Sequence, residues 1–152
     1  MLLKRNKIAL SDGTSKSIEK LTVGEIVFGI DKNNKVVPSQ ITKTFTHVDH
    51  FEYLIIKTED KNKIKVTKNH PIYNGNEFVE AGTLQAGDYI SILDKKTNTI
   101  KQSRIVKIKE KPLAKKVYNI EVAEIHNYIA GGVIVHNKNT YDVTKTPISI
   151  RN

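Results

Sequence analysis

The chain has 152 residues, 25 of them basic and 16 acidic, a net charge of +9 and no cysteine. That length suits one domain with a real core, and the missing thiols exclude disulfides, thiolate zinc sites and a cysteine nucleophile. No apolar run of roughly 18 residues exists, so no membrane-spanning helix is expected.

Residues 1–13, MLLKRNKIALSDG, place charge where a secretory signal would stay apolar. The start therefore reads as mature domain, and the expected location is the cytoplasm. Period-two alternation then dominates. It predicts strands over 26–30, 36–48, 51–58, 63–67, 89–93, 100–109, 117–122 and 128–135, all rich in Val, Ile, Thr, Tyr and Phe. Turn signals such as Ser11-Asp12-Gly13, Asp31-Lys32-Asn33-Asn34, Asn74-Gly75-Asn76 and Asp94-Lys95-Lys96 separate them. Helical period lasts no more than a turn, at 18–21 and 81–84, so the fold class is all-β. Lysines alternate with apolar residues, as in Lys63-Ile64-Lys65-Val66 and Lys107-Ile108-Lys109, which is how a half-buried strand solvates its outer face. With no basic motif, stacking platform or zinc pattern, the charge alone argues against a nucleic-acid partner. His47 and His50 fall in a polar connection and are assigned to the surface.

The two short turns belong to an internal repeat. SIEKLTVGEIVFGIDK, from Ser17, aligns with EAGTLQAGDYISILDK, from Glu80, at an offset of 63, matching Leu21 to Leu84, Gly24 to Gly87, Glu25 to Asp88 and Asp31 to Asp94. A long period occurring twice predicts two pseudo-symmetric halves around one core rather than a solenoid. The chain also carries VTKNHPIY at 66–73 and ends its last strand-like run in an unusual way, with GGVIVHN at 131–137. An Asn after a His closes no hydrophobic strand for packing reasons.

The duplicated L-x-x-G-[ED] unit, the T-x-x-H block and the terminal VYNIEVAEIHNYIAGGVIVHN, in this order, resemble an intein, and more broadly the Hint fold of inteins, bacterial intein-like domains and hedgehog autoprocessing domains. The resemblance runs over 1–137 and leaves 138–152 as a C-terminal flanking segment. Its length resembles a mini-intein with no homing endonuclease. It implies a flattened horseshoe of strands with internal pseudo-two-fold duplication, whose two ends meet at the centre. It further implies a monomer that works on flanking extein polypeptides in cis, with no metal or cofactor.

Residue roles follow from that resemblance. Asn137 would close a succinimide on its own carbonyl carbon and break the bond to Lys138, a step that positioning and proton supply accelerate. His136 and His126 would serve that step, imidazole having an ordinary pKa of roughly 6.5. Thr67 and His70 would polarise the amide at residue 1. Three positions depart from the family. Met1 offers a thioether where inteins carry cysteine or serine, so no thioester forms. Lys138 occupies the position that needs a hydroxyl or thiol acceptor. Asn119 stands where an acidic residue often couples the two junctions. Two origins stay open: a splicing domain whose first residue was replaced by an initiator, or a natural intein-like or toxin-associated domain that retains only the downstream cut. The competing reading is a basic β-domain without chemistry, acting as a binding module for nucleic acid among others. It predicts dispersed histidines, whereas the resemblance predicts that Thr67, His70, His126, His136 and Asn137 converge with Met1.

Overall fold

A computed structural model describes residues 1–137. Lys138 and the flanking segment 138–152 lie outside the described residues. Among the described residues eleven strands form: β1 (Lys7–Ala9), β2 (Ser15–Ser17), β3 (Ile26–Ile30), β4 (Val36–Thr58), β5 (Lys63–Thr67), β6 (Pro71–Tyr73), β7 (Phe78–Glu80), β8 (Tyr89–Asp94), β9 (Thr99–Val122), β10 (Asn127–Ala130) and β11 (Val133–His136). Two single-turn 3-10 helices, Ile18–Lys20 and Ala81–Thr83, are the other regular elements among the described residues. The main path of the sheet runs β2-β1-β10-β11-β8-β9-β4-β3, with β5 on β4 and the β6–β7 hairpin on β11.

The L-x-x-G-[ED] unit has one physical cause in both halves. In each, a 3-10 turn ends at a leucine and the chain reverses through a glycine with positive φ, +99° at Gly24 and +100° at Gly87. The acid that follows closes the turn, Glu25 accepting from the Thr22 N–H and Asp88 from the Gln85 N–H, each at 2.8 Å. Gly24 and Gly87 then donate to the carbonyls of Ile41 and Ile105 at 2.9 and 2.8 Å, fixing the register of the next strand. The repeat read in the sequence is thus a repeat of hydrogen bonds.

β4 and β9 are the long strands at the centre. They pair antiparallel from Ile41 opposite Val122 to Thr58 opposite Ile105, with register shifts near Lys43, Val48, Phe51 and Thr58. Such bulges bend a ribbon and raise its twist, which lets each strand serve both halves. The polar stretch around His50, read as a break between two strands, is one of these irregularities within β4. The core is largely aliphatic: Leu2, Ile8, Ile41, Ile56, Ile64, Ile72, Ile90 and Ile120 are among its buried members, each contributing roughly 1.5–3 kcal/mol by burial.

One predicted strand is corrected. Residues 128–135 form the two strands β10 and β11 of a hairpin, turning at Gly131-Gly132 with φ of +60° and +82°. The apolar signal runs straight through because β10 is buried at every position and β11 at three of four. A strand covered on both faces carries no period-two mark. β1, β2, β6 and β7 escaped prediction because three residues hold too little pattern. Lysine alternation on the outer face holds: Lys57 stands opposite Lys63 on β5 and Lys107 on β9, all exposed.

Candidate active site

Two segments remote in sequence lie side by side. Leu2 exchanges main-chain hydrogen bonds with Tyr118 at 2.8 and 2.7 Å, and the Thr67 N–H donates to the Met1 carbonyl at 2.9 Å. This seats the Met1 nitrogen 2.9 Å from the Thr67 hydroxyl and 2.6 Å from Nδ1 of His70. β5 ends at Thr67, and the His70 N–H donates back to the Thr67 carbonyl at 3.2 Å. That tight turn aims both side chains at residue 1 before Pro71 opens β6. The single proton of the Thr67 hydroxyl has two acceptors in reach, Oδ1 of Asn69 at 2.9 Å and the Met1 carbonyl at 3.2 Å.

Burial sets the electrostatics here. Met1 is 1% exposed and His70 not at all. As a free amine, the Met1 nitrogen is lowered by burial to about 4, so it is neutral at pH 7. His70 is held well below the ordinary histidine value, first because burial disfavours the imidazolium and then because the residue-1 amine would repel it. The main chain of His136 partly opposes that shift, so the end of β11 bears on the same ring. The other ring nitrogen, Nε2, is buried on the side of the His136 main chain and makes no hydrogen bond of ordinary geometry.

At the end of β11, Asn137 is buried and held at three points. Its N–H donates to the His126 carbonyl at 2.9 Å, its Nδ2 to the Val122 carbonyl at 3.3 Å, and its own carbonyl lies 3.5 Å from Nδ2 of Asn119. Oδ1 of Asn119 accepts from the Tyr128 hydroxyl at 2.7 Å and from the Ile120 N–H at 2.9 Å. His70, bonded to residue 1 and close to the His136 backbone, stands between the two segments. Among the described residues no cluster of His, Asp or Glu is placed to hold a metal.

The chain matches a family profile, the pretoxin HINT domain, over residues 8–140. The chain belongs to that family. In solved structures the pretoxin HINT domain resembles the DnaB intein from Synechocystis sp. PCC 6803, with 23% identity, a TM-score of 0.82, 91% of this chain covered and 98% of that one. It also resembles a bacterial intein-like domain from Clostridium thermocellum, with 28% identity, a TM-score of 0.74, 90% of this chain and 97% of that one. The all-β architecture is therefore the Hint fold. An uncharacterized protein of Methanocaldococcus jannaschii is 34% identical over 80 residues, which is 50% of this chain and 11% of that protein. The chain spans about a tenth of the length of that curated relative.

Within this HINT domain, the expected residues are placed unequally. Met1, Thr67 and His70 share one cluster, and Asn119 and Asn137 share the adjoining one. His126 joins through its main-chain carbonyl, in a left-handed conformation with φ of +56°, and its side chain is exposed. The His136 ring is half-buried and packs edge-on against Phe78, with centroids 5.0 Å apart. Lys138 lies outside the described residues. Sequence reasoning missed three residues. Tyr128 looked like a plain strand position, yet its hydroxyl holds Asn119. Asn69 looked like turn filler, yet it takes a hydrogen bond from Thr67. His47 was assigned to the surface, but it is half-buried, and burial together with the residue-1 amine lowers its pKa. Only its pairing opposite the buried Val117 of β9 would have marked it.

Proposed function

We propose that this HINT domain severs its own chain after Asn137 by asparagine cyclisation and does not ligate the flanking segments. The observation that carries the reading is the three-point seat of Asn137, which fixes the attacking amide and the attacked carbonyl of one residue. Nδ2 forms a bond to the Asn137 carbonyl carbon, the bond to the Lys138 nitrogen breaks, one Nδ2 proton is lost and the departing amine gains one. Holding the reacting groups removes the entropy cost that keeps this reaction slow in a free chain. His136, next to the departing amine, is the proton carrier.

At residue 1 the surroundings suit a strained or polarised amide, with Thr67 and His70 both at the nitrogen. The thioether of Met1 has no nucleophilic hydrogen to exchange, so an acyl shift has no starting atom. An ammonium at Lys138 takes no acyl group at neutral pH. The substrate is flanking polypeptide in cis, and the turnover is single.

The test is intact-mass spectrometry of the purified chain over several days. Wild type should release the peptide that begins at Lys138 and leave Asn137 as succinimide or its hydrolysed form. Asn137→Ala should release nothing, and His136→Ala should be slower by roughly 10²- to 10⁴-fold. Equal loss of the same peptide from wild type and Asn137→Ala would make the cut ordinary proteolysis and end the proposal.

A further inference from the structure

We propose that Asn119 is a catalytic donor to the Asn137 carbonyl oxygen, and that Tyr128 is the positioning residue that keeps it a donor. This rests on the cyclisation reading above and supplies the group that stabilises its charged intermediate.

The argument begins with an atom whose role is not adjustable. The Ile120 main-chain N–H can only donate, and it lies 2.9 Å from one terminal atom of the Asn119 side chain. That atom must be the oxygen. The Tyr128 hydroxyl, 2.7 Å from the same atom, is then the donor of its pair. Tyr128 is fully buried, and burial raises its pKa above the ordinary phenol value, so the hydroxyl keeps its proton. A flip of the amide would set Nδ2 against the Ile120 N–H, which cannot accept, and would force the Tyr128 hydroxyl to give up its donor role. Nδ2 is thereby turned toward the Asn137 carbonyl, 3.5 Å away.

That carbonyl is where charge develops. When Nδ2 of Asn137 adds to the carbonyl carbon, the electron pair of the C=O bond moves onto oxygen. An N–H aimed at that oxygen inside a water-poor site stabilises the adduct more than the planar ground state. The present separation is long for a hydrogen bond, and pyramidalisation of the carbon lengthens C–O and concentrates charge, which tightens the contact. A carboxylate at 119 would do the reverse, presenting negative charge to a forming oxyanion. Asn119 is therefore read as a residue suited to the downstream step taken alone.

The experiment measures Asn137-dependent release of the downstream peptide in wild type, Asn119→Ala, Asn119→Asp, Tyr128→Phe and the double variant. Asn119→Ala should slow release by on the order of 10²-fold, the usual loss for one oxyanion donor. Asn119→Asp should be slow at neutral pH and recover as pH falls through the new carboxyl's pKa, because only the protonated acid donates; wild type lacks that limb. Tyr128→Phe should slow the wild type severalfold but change nothing in the Asn119→Ala background, since its effect passes through Asn119. An unchanged rate in Asn119→Ala, or a profile for Asn119→Asp parallel to wild type, overturns the donor role. A Tyr128→Phe loss that persists in the double variant makes the tyrosine merely structural. Nuclear magnetic resonance of the Asn137→Ala chain reads the orientation without any cleavage: the Asn119 side-chain amide protons should exchange slowly there and quickly once Tyr128→Phe is added. Fast exchange in both chains refutes the positioning even where cyclisation itself occurs, and slow exchange with no cleavage in wild type places the failure in the cyclisation reading instead.

Discussion

His70 and the Met1 nitrogen are two bases held in their neutral forms by burial, and this gives the domain a pH signature. Each has a folded pKa below its unfolded value, about 4 against 8.0 for the amine and well below 6.5 for the imidazole. Between those values the unfolded chain binds more protons than the folded one, so stability is complete above the unfolded values and is lost as pH falls toward the folded ones. The melting temperature should therefore be highest above about pH 8 and decline steadily to pH 5, before the carboxylates begin to titrate. A short extension upstream of Met1 turns the amine into an amide, so the decline above about pH 6.5 should disappear while the histidine part remains. Circular dichroism melts at several pH values check both, and a flat profile for the parent chain would contradict the burial assigned to these groups. At this scale the sequence was legible where chemistry is carried by residue type, as at His136-Asn137 and at Thr67 with His70. It was silent on Tyr128 and His47, whose significance lies in atoms brought from other strands.

The β10–β11 hairpin is the element that delivers Asn137, and its turn is built on close approach. A Cβ added to Gly131 would collide with the Lys63 carbonyl oxygen, and its φ of +60° is in the left-handed region. Gly131→Ala should destabilise the domain by about 1–3 kcal/mol, at about 2–4 °C of melting temperature per kcal/mol, and slow release after Asn137 because β11 shifts against β8 and β6. Thermal melts and release rates measured together decide this; a variant with wild-type values for both would show that the turn is not so tightly seated. Gly29 makes a second close approach, lying against Asn127, whose side chain bonds both the N–H and the carbonyl of Ile30 at 2.7 and 2.9 Å. Strands such as β3, β5 and β8 were readable because their pattern is local. The hairpin turn was not, since burial on both sides erased the alternation that would have marked its halves.

The duplication makes the whole molecule one cooperative unit, because β4 and β9 pair with each other along most of their length. Neither half retains a core without its counterpart. Urea unfolding followed by far-ultraviolet circular dichroism and by tyrosine fluorescence should give one coincident transition. Two separated transitions would show that the halves fold independently. The copies also diverged where it matters. The Asn6 and His70 carbonyls accept from the equivalent Ile18 and Ala81 N–H groups at 2.9 and 3.0 Å, but the Asn6 side chain brackets the Lys65 backbone, while His70 faces residue 1. The carbonyls take the same part in both halves, while the side chains of the two residues serve different neighbours.

Because a single imidazole touches residue 1 and lies beside the backbone of His136, a polypeptide that enters this fold at one point leaves it almost at the same point. To a carrier protein such a guest is topologically a pinched loop: its many residues add almost no distance between the carrier's own neighbouring segments. Loop-closure entropy, which grows only slowly with contour length, is then met inside the guest by its own core and not by the carrier. The carrier's two flanks can settle on each other while the guest stays folded between them, whatever bond is cut afterwards.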